Sequence, residues 1–193
     1  MCGFVGYVND TPDKSVNEKI IKDMADRIRH RGPDQDDYYV DSSVSLGFRR
    51  LSIIDLDGGS QPILNEDGTK VLVFNGEIYN YQPIREELIK KGHVFRTKTD
   101  SEVLLHGYEE YGCELLNKLR GMFAFVIWDS TEKKLFGARD IFGIKPFFYY
   151  LKNGNFLFGS EIKSFLSNPL FEKELNEERL PDYLCFEYIP RSE

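Results

Sequence analysis

The chain begins with Met1-Cys2-Gly3-Phe4-Val5-Gly6-Tyr7-Val8, and this stretch carries the first indication of both fold and chemistry. The mostly apolar residues from Gly3 to Val8 predict a short buried strand. Cys2 lies directly before that strand, so removal of Met1 would leave a thiol and a free α-amine on the same residue. A thiol is the most nucleophilic ordinary side chain, but it needs a base to remove its proton.

The α-amine of such a residue is a usable base at neutral pH. With a pKa of about 8, roughly one molecule in ten carries a neutral amine at pH 7, whereas a lysine at about 10.4 is neutral in only about one in a few thousand. Position alone does not separate this interpretation from an incidental early cysteine. Both remain open until other residues are considered.

Outward from this strand, the pattern predicts groups of strands with helices between them. A helix begins at the capping box Ser15-Val16-Asn17-Glu18 and ends before residue 30, and Thr99-Asp100-Ser101-Glu102 is a second capping box that opens a helix through Tyr111. Further helices are expected at 83–91, 161–166 and 176–184, and strands at 44–48, 71–74, 94–96, 122–129, 135–139, 147–152 and 156–160. This order favours an α+β layered fold over a regular βαβ repeat.

Composition excludes several functional classes. The 193 residues contain 25 Lys+Arg against 32 Asp+Glu, a net charge of −7 that argues against a nucleic-acid partner. The longest apolar run, 122–128, is too short to span a bilayer, and no signal-peptide pattern precedes it, so we expect no membrane partner and a cytoplasmic location. The three cysteines and three histidines are scattered without metal-ligand spacing, so no metal site is predicted. No nucleotide-binding loop is found.

Three further positions carry polar groups of the kind an amide-cleaving site needs. Asn75-Gly76 follows the strand 71–74 and offers two neutral donors for an oxyanion, although a plain strand-ending turn is the alternative. Arg50 ends another strand and can hold a carboxylate through two hydrogen bonds, but alone it is more often a solvated charge. Asp100 lies in a capping box, where a helix-cap role is the default.

Taken together, these motifs resemble class II glutamine amidotransferase domains over essentially the whole chain. The motifs, in order, are Cys2-Gly3, Arg31-Gly32-Pro33-Asp34, Arg50-Leu51-Ser52-Ile53-Ile54-Asp55, Asn75-Gly76-Glu77-Ile78-Tyr79-Asn80, Thr99-Asp100-Ser101-Glu102, Gly121-Met122-Phe123-Ala124-Phe125 and Arg139-Asp140-x-x-Gly143-x-Lys145-Pro146. Within the class, residues 29–34 and 50–55 are most similar to the N-terminal glutaminase domain of glutamine-hydrolysing asparagine synthetases.

The resemblance implies a four-layer αββα sandwich of the N-terminal-nucleophile hydrolase type. It also implies that Cys2 attacks the side-chain amide of L-glutamine and that Asn75 and Gly76 stabilise the oxyanion. The implied substrate contacts are Arg50 for the α-carboxylate, Asp100 and Glu77 for the α-ammonium, and the backbone of Ile53 and Ile54, with Asn75 and Gly76 also lining the pocket. No cofactor or metal is implied for this chain.

The resemblance further implies a division of labour. Residues 1–165 are expected to form the glutaminase domain, and 166–193 an exit segment toward a C-terminal synthetase domain that this sequence lacks, because no Ser-Gly-Gly-x-Asp-Ser loop is present. That domain would use ATP and Mg²⁺ to make asparagine from aspartate and ammonia. The alternatives are a glutaminase serving another acceptor, as in amino-sugar or peptide amidation, and an inactive regulatory pseudo-glutaminase. The oligomeric state is left open between a monomer and a homodimer.

Overall fold

Two antiparallel sheets form the centre of the molecule. A computed structural model describes residues 1–51 and 60–189. The first sheet has the strand order β2-β3-β1-β9-β8 and the second the order β4-β5-β6-β7. The strands are β1 (Gly3–Val8), β2 (Gln35–Val40), β3 (Val44–Arg50), β4 (Ile63–Leu64), β5 (Lys70–Ile78), β6 (Gly121–Asp129), β7 (Lys134–Arg139), β8 (Phe148–Lys152) and β9 (Asn155–Gly159).

Helices lie on the outer faces of both sheets. They are α1 (Lys14–Asp26), α2 (Tyr81–Lys90), α3 (Ser101–Tyr111), α4 (Leu115–Lys118) and α5 (Leu180–Phe186), with short 3₁₀ turns at Arg29–Arg31, Gly112–Glu114, Ile162–Ser167 and Glu177–Arg179. In the described part of the chain, no helix is both long and apolar enough to cross a membrane.

Three apolar clusters show how the layers stack. One lies between the sheets and consists of Phe4, Val44, Leu46, Phe48, Val71, Val73, Ala124, Val126, Trp128 and Phe158. A second packs α1 on the first sheet, with Val5, Tyr7, Ile21 and Met24 among its members. The third packs α2 and α3 on the second sheet, with Leu72, Phe74, Leu88 and Leu104 among its members. The order of layers is therefore helix, sheet, sheet, helix, and the expected αββα sandwich is confirmed.

Strand β6 shows why the sequence folds this way. It lies between β5 and β7, and its alternate residues pack against the other sheet or against the helices. Both faces of β6 are buried. This explains why its sequence is apolar without interruption from Met122 to Trp128 instead of alternating with polar residues. The predicted half-buried strand at 44–48 is also confirmed, with Val44, Leu46 and Phe48 facing the second sheet.

Both predicted capping boxes are wrong. Helix α1 starts earlier, because Asp13 is its N-cap and accepts hydrogen bonds from the backbone N–H groups of Ser15 and Val16. Helix α3 begins at Ser101 without a side-chain cap. The Glu102 carboxylate instead accepts the backbone N–H groups of Arg96 and Thr97, both at 2.7 Å.

Other boundaries differ from expectation as well. No strand forms at 94–96, where the backbone binds Glu102 rather than a neighbouring strand. The expected helices at 161–166 and 176–184 are 3₁₀ turns at Ile162–Ser167 and Glu177–Arg179, the latter followed by α5. Phe165 is buried against α1, whereas α5 contributes no buried residue. The expected boundary between 1–165 and 166–193 stays a prediction.

Candidate functional site

The Cys2 thiol lies at the end of the first sheet where β1 begins and β3 ends. Strand β1 pairs antiparallel with β3, with Gly3 opposite Arg49. The Leu51 N–H donates to Cys2 Sγ at 3.4 Å, and the thiol donates to the Leu51 carbonyl at 3.8 Å. Cys2 is half-buried and packs against the cluster between the sheets. Its thiol therefore points into the sandwich rather than toward α1.

The main chain around Cys2 is held by Arg31. The Arg31 Nε donates to the Cys2 carbonyl at 3.0 Å, its Nη1 to Glu161 at 3.1 Å, and its Nη2 to the Met1 sulfur at 3.1 Å. Burial raises the pKa of Glu161, but hydrogen bonds from Arg31, His30 and Lys163 outweigh it and lower that pKa. A carboxylate that stays ionised keeps Arg31 in place.

Gly3 packs closely against the same arginine. A Cβ atom at Gly3 would lie 3.0 Å from both Arg31 Cδ and Ile28 Cδ1, so these side chains would have to shift to admit it. In the sequence, Arg31 belongs to the motif Arg31-Gly32-Pro33-Asp34. Glu161 could not be identified as its partner, because an isolated glutamate after a strand is common on any protein surface.

Asn75 lies inside β5, which runs from Lys70 to Ile78 and pairs Asn75 with Ala124. The prediction that the strand ends at residue 74 is therefore wrong, and so is the alternative of a plain turn. Asn75 is only 3% exposed. Its Nδ2 has no hydrogen-bond partner among the described residues. A buried, unpaired amide donor is costly and uncommon in folded proteins, which marks it as a functional candidate.

Gly76 allows β5 and β6 to approach closely beside Asn75. A Cβ atom at Gly76 would lie 2.2 Å from the Met122 carbonyl oxygen and 2.7 Å from Phe123 Cα, distances that real side chains do not adopt. Only glycine fits at this point of the strand pair.

Asp100 joins α3 to the end of β5. Its Oδ2 accepts the Ile78 N–H at 2.7 Å, while α3 itself receives no side-chain cap from it. The default role of a helix cap is therefore wrong. Burial raises the pKa of Asp100, and the nearby Glu77 raises it further. Glu77 is exposed and, by strand alternation, faces the same side of the sheet as Asn75.

The side chains of Arg49 and Arg50 lie on opposite faces of the first sheet, because successive residues of a strand alternate between its faces. Arg49 is buried on the α1 side and forms salt bridges with Asp26 and Asp36. Arg50 faces the opposite side, the side of Phe48, and its Nη1 donates to Gln35 Oε1 at 3.3 Å. Ile53 and Ile54, the other expected pocket residues, lie outside the described part of the chain.

The two sheets bring these groups together at one end of the sandwich. At the opposite end, Trp128 Nε1 donates to Asp41 Oδ2 at 2.7 Å, which fixes the start of β3 beside the end of β6. The end of β3 and the end of β5 must then also lie at a common end, because β5 and β6 are antiparallel. Cys2 and Arg50 on one sheet thus face Asn75 on the other. Such a set offers a thiol nucleophile, neutral oxyanion donors and charged groups of both signs.

The comparison with known families agrees with this chemistry. Residues 1–193 match the family described as glutamine amidotransferase domain, and the chain belongs to that family.

Individual relatives are glutamine-hydrolysing asparagine synthetases. The chain is 49% identical over 194 residues to asparagine synthetase 1 of Bacillus subtilis, covering 98% of this chain and 30% of the relative. It is 41% identical over 165 residues to asparagine synthetase 2 of Arabidopsis thaliana, covering 85% of this chain and 28% of the relative. The chain therefore spans less than a third of the length of these relatives.

A solved structure supports the fold. The glutamine phosphoribosylpyrophosphate amidotransferase from Bacillus subtilis superimposes with a TM-score of 0.69 at 20% identity, over 86% of this chain and 43% of that chain. At this identity the likeness concerns the fold, and it agrees with the N-terminal-nucleophile architecture expected from the sequence.

Two aspartates of this region, Asp100 and Asp140, are predicted to affect stability in opposite directions. Because the pKa of Asp100 is raised, its ionised carboxylate destabilises the fold at neutral pH, and this cost disappears as the pH falls below the ordinary aspartate range. Asp100→Asn keeps an acceptor for the Ile78 N–H. We expect it to raise the free energy of unfolding in urea at pH 7, with the gain shrinking toward pH 4.

Asp140→Asn is the matched comparison. Burial raises the pKa of Asp140, but hydrogen bonds from the backbone N–H groups of Lys145, Ile144 and Phe123 outweigh it and lower the pKa below the ordinary value. The ionised carboxylate therefore stabilises the fold at neutral pH, and this stabilisation is lost as the pH falls through the lowered pKa. Asp140→Asn should lower the free energy of unfolding at pH 7. If Asp100→Asn instead lowered the free energy of unfolding at pH 7 as much as Asp140→Asn, the raised pKa of Asp100 would be contradicted.

Proposed function

We propose that this chain hydrolyses the side-chain amide of L-glutamine to glutamate and ammonia through a thioester on Cys2. The observation that carries the proposal is the buried Asn75 amide, which lacks a partner among the described residues and faces the sheet end that holds the Cys2 thiol. An oxyanion formed on the substrate would supply the missing acceptor. Membership of the glutamine amidotransferase domain family supports the choice of substrate.

The first half of the reaction forms the thioester. After Met1 is removed, the α-amine of Cys2 accepts the thiol proton, and the sulfur attacks the amide carbon of glutamine. Asn75 Nδ2 and the Gly76 N–H donate to the oxyanion that develops on the amide oxygen. The C–N bond then breaks, the protonated amine returns its proton to the leaving nitrogen, and ammonia departs.

The second half regenerates the thiol. Water, with the same α-amine as base, attacks the γ-glutamyl thioester, the C–S bond breaks, and the sulfur recovers a proton. The sum is glutamine plus water giving glutamate plus ammonia. As long as Met1 is attached, the nitrogen of Cys2 is an amide and cannot act as a base, so this proposal requires its removal.

Charged groups at the same end recognise the two ends of the substrate. Arg50 binds the α-carboxylate through its guanidinium, a geometry that favours two parallel hydrogen bonds. Asp100 and Glu77 bind the α-ammonium. An ammonium at this position also offsets the burial cost that raises the pKa of Asp100. The backbone of Ile53 and Ile54 completes the pocket in the proposal, on the strength of the resemblance alone.

The ammonia is proposed to serve a longer protein. The relatives are named as asparagine synthetases and are more than three times the length of this chain, which covers 30% of the first of them. We propose that residues 1–165 form the glutaminase domain and that 166–193 lead to a C-terminal ATP-dependent synthetase domain, which uses ATP and Mg²⁺ to convert aspartate to asparagine.

An apolar surface near the site suits such a domain. Ile141 and Phe142 are 92% and 86% exposed. Their loop begins beside the proposed oxyanion donors, because the Asp140 N–H donates to the Phe123 carbonyl and Phe123 pairs with Gly76. Apolar side chains this exposed are typical of contact surfaces. Two competing proposals remain: a glutaminase that supplies ammonia to an acceptor other than aspartate, and an inactive regulatory domain. Glutamate release that depends on Cys2 distinguishes the enzyme from the inactive domain.

Glutamate release tests the nucleophile and its base. Protein shown by intact mass to lack Met1 should release glutamate from glutamine. Cys2→Ala should lower the rate by at least about 1,000-fold, because no other group forms the thioester. Cys185→Ala is the matched control, since Cys185 is exposed on α5 and should leave the rate unchanged.

Protein that retains Met1 should be as inactive as Cys2→Ala. It can be prepared by inhibiting methionine aminopeptidase during expression. Full activity with Met1 attached would refute the role of the α-amine, while undiminished activity in Cys2→Ala would refute the whole mechanism.

Steady-state kinetics should divide the site into groups that act on the transition state and groups that bind substrate. Asn75→Ala should lower kcat about 100- to 1,000-fold with little change in KM, because the oxyanion exists only in the transition state. Asp100→Asn should instead raise KM for glutamine and leave kcat within a few-fold. An equal effect of both variants on KM alone would argue that Asn75 is not an oxyanion donor.

A further inference from the structure

A second cluster of chemically capable side chains shares no residue with the proposed glutaminase site. It consists of His93, in the segment that follows α2, with His106 and Glu109 on α3. The rings of the two histidines are 5.1 Å apart between centroids. Their separation in the sequence hides this proximity, which arises because the segment after α2 folds back against α3.

We propose that this cluster binds a divalent transition-metal ion of the Zn²⁺ type. One ligand atom from each of the three residues lies within 4.8 Å of the others. Glu109 Oε2 is 2.9 Å from His106 Nδ1 and 3.6 Å from His93 Nδ1. Ligands bound to Zn²⁺ at about 2.1 Å in a tetrahedron are ~3.4 Å apart, so the three atoms need to move little to share an ion.

Carboxylates lie behind both histidine rings. Metal-binding histidines usually direct their second ring nitrogen at a carboxylate, which fixes the ring and its tautomer. His93 Nε2 lies 3.4 Å from Glu110 Oε2, and His106 Nε2 lies 3.5 Å from Glu102 Oε1. Both histidines therefore keep Nδ1 directed toward Glu109.

The Glu109 carboxylate is oriented in the same way. Asn65 Nδ2 donates to Glu109 Oε1 at 2.7 Å, which leaves Oε2 for the histidines. Asn65 is itself buried and held by the backbone N–H of Lys70 and the hydroxyl of Thr69. The carboxylate is therefore positioned by a rigid neighbour rather than by solvent.

The second ring nitrogen of the buried His106 faces two carboxylates on the side away from Glu109. The side chain of His106 is only 2% exposed. Within the described residues its Nε2 has no hydrogen-bond partner, although Glu102 and Glu66 lie within ion-pair distance at 3.5 and 3.8 Å. A cation bound at Nδ1 would make the Nε2 N–H a stronger donor toward these carboxylates.

The cluster also has the charge and access that an ion needs. Four carboxylates surround the two histidines: Glu66, Glu102, Glu109 and Glu110. Lys91 pairs with Glu110. His93 and Glu109 are 17% and 18% exposed, so one side remains open for a water ligand and for entry of the ion, while the Phe95 ring covers His106. Two imidazoles, a carboxylate and a water form a common coordination set for Zn²⁺.

The proposed ion would join the segment after α2 to helix α3. It does not depend on the glutaminase proposal, because none of its ligands is assigned to that site. Since a structural ion binds the folded chain and not the unfolded one, it should stabilise the fold.

Zn²⁺ titration of the folded chain tests the proposal. Calorimetry should find one ion per chain, and His93→Gln and Glu109→Gln should each weaken binding at least about 100-fold. His30→Gln is the matched control, because the His30 ring is exposed and pairs with Glu161 far from the cluster. Zn²⁺ should raise the thermal unfolding midpoint of the wild type and of His30→Gln, and not of His93→Gln.

Co²⁺ provides a spectroscopic check on the ligands. Its visible bands should appear without the thiolate charge-transfer absorption that a cysteine ligand would give. Because His93 is partly exposed, His93→Gln should fold, and circular dichroism verifies this. Absence of binding in the wild type, undiminished binding in His93→Gln, or a thiolate band would each overturn the proposal.

Discussion

The face-to-face packing of two antiparallel sheets is the constraint on which the site depends. Each sheet contributes part of the proposed chemistry, because Cys2 directly precedes β1 and Arg50 ends β3 in the first sheet, while Asn75 and Gly76 lie in β5 of the second. The apolar cluster between the sheets and the hydrogen bond from Trp128 to Asp41 fix their relative direction. Only with the sheets aligned in this way do the end of β3 and the end of β5 meet.

Polar groups near this end differ in how well the fold satisfies them. Arg49 and Asp140 have several partners and serve the structure. Asn75 Nδ2 lacks a partner in the described region, and the half-buried Asp100 lies beside a second carboxylate, Glu77, with its pKa raised chiefly by burial. Groups that a fold leaves poorly satisfied are those for which a substrate can provide the partner, and so they identify a site better than charge alone.

Much of the fold followed from the sequence, for physical reasons that can be named. The alternation of apolar and polar residues predicted β3 as a half-buried strand. The unbroken apolar run predicted β6 as a strand buried on both faces. The capping boxes were wrong for two different reasons. Asp13 binds the backbone N–H groups at the start of α1, and the Glu102 carboxylate binds those of Arg96 and Thr97, which lie before α3. The extension of β5 through Asn75 comes from its pairing with β6, a long-range contact that no local pattern reports.

The candidate site was identified from motifs, and its supporting contacts were not. Cys2, Arg50, Asn75, Gly76, Glu77 and Asp100 were all named from the sequence. The anchoring of the Cys2 main chain by Arg31 and Glu161 depends on tertiary contacts across 130 residues. The histidine cluster was missed for the same reason, since metal-ligand spacing along the chain is a poor guide when a loop folds back on a helix.

Covalent trapping with a glutamine analogue tests most directly whether Cys2 is the nucleophile. A diazoketone in place of the side-chain amide alkylates a thiol held next to it: the thiol proton moves to the diazo carbon, the sulfur bonds to that carbon, and N₂ leaves. Peptide mapping then locates the adduct. Cys113 and Cys185 are exposed whereas Cys2 is half-buried, so simple accessibility favours the other two. We expect the adduct on Cys2 alone, in protein lacking Met1, with protection by excess L-glutamine. Labelling of the exposed Cys113 and Cys185 in preference to Cys2, or labelling of Cys2 that excess L-glutamine does not prevent, would contradict the mechanism.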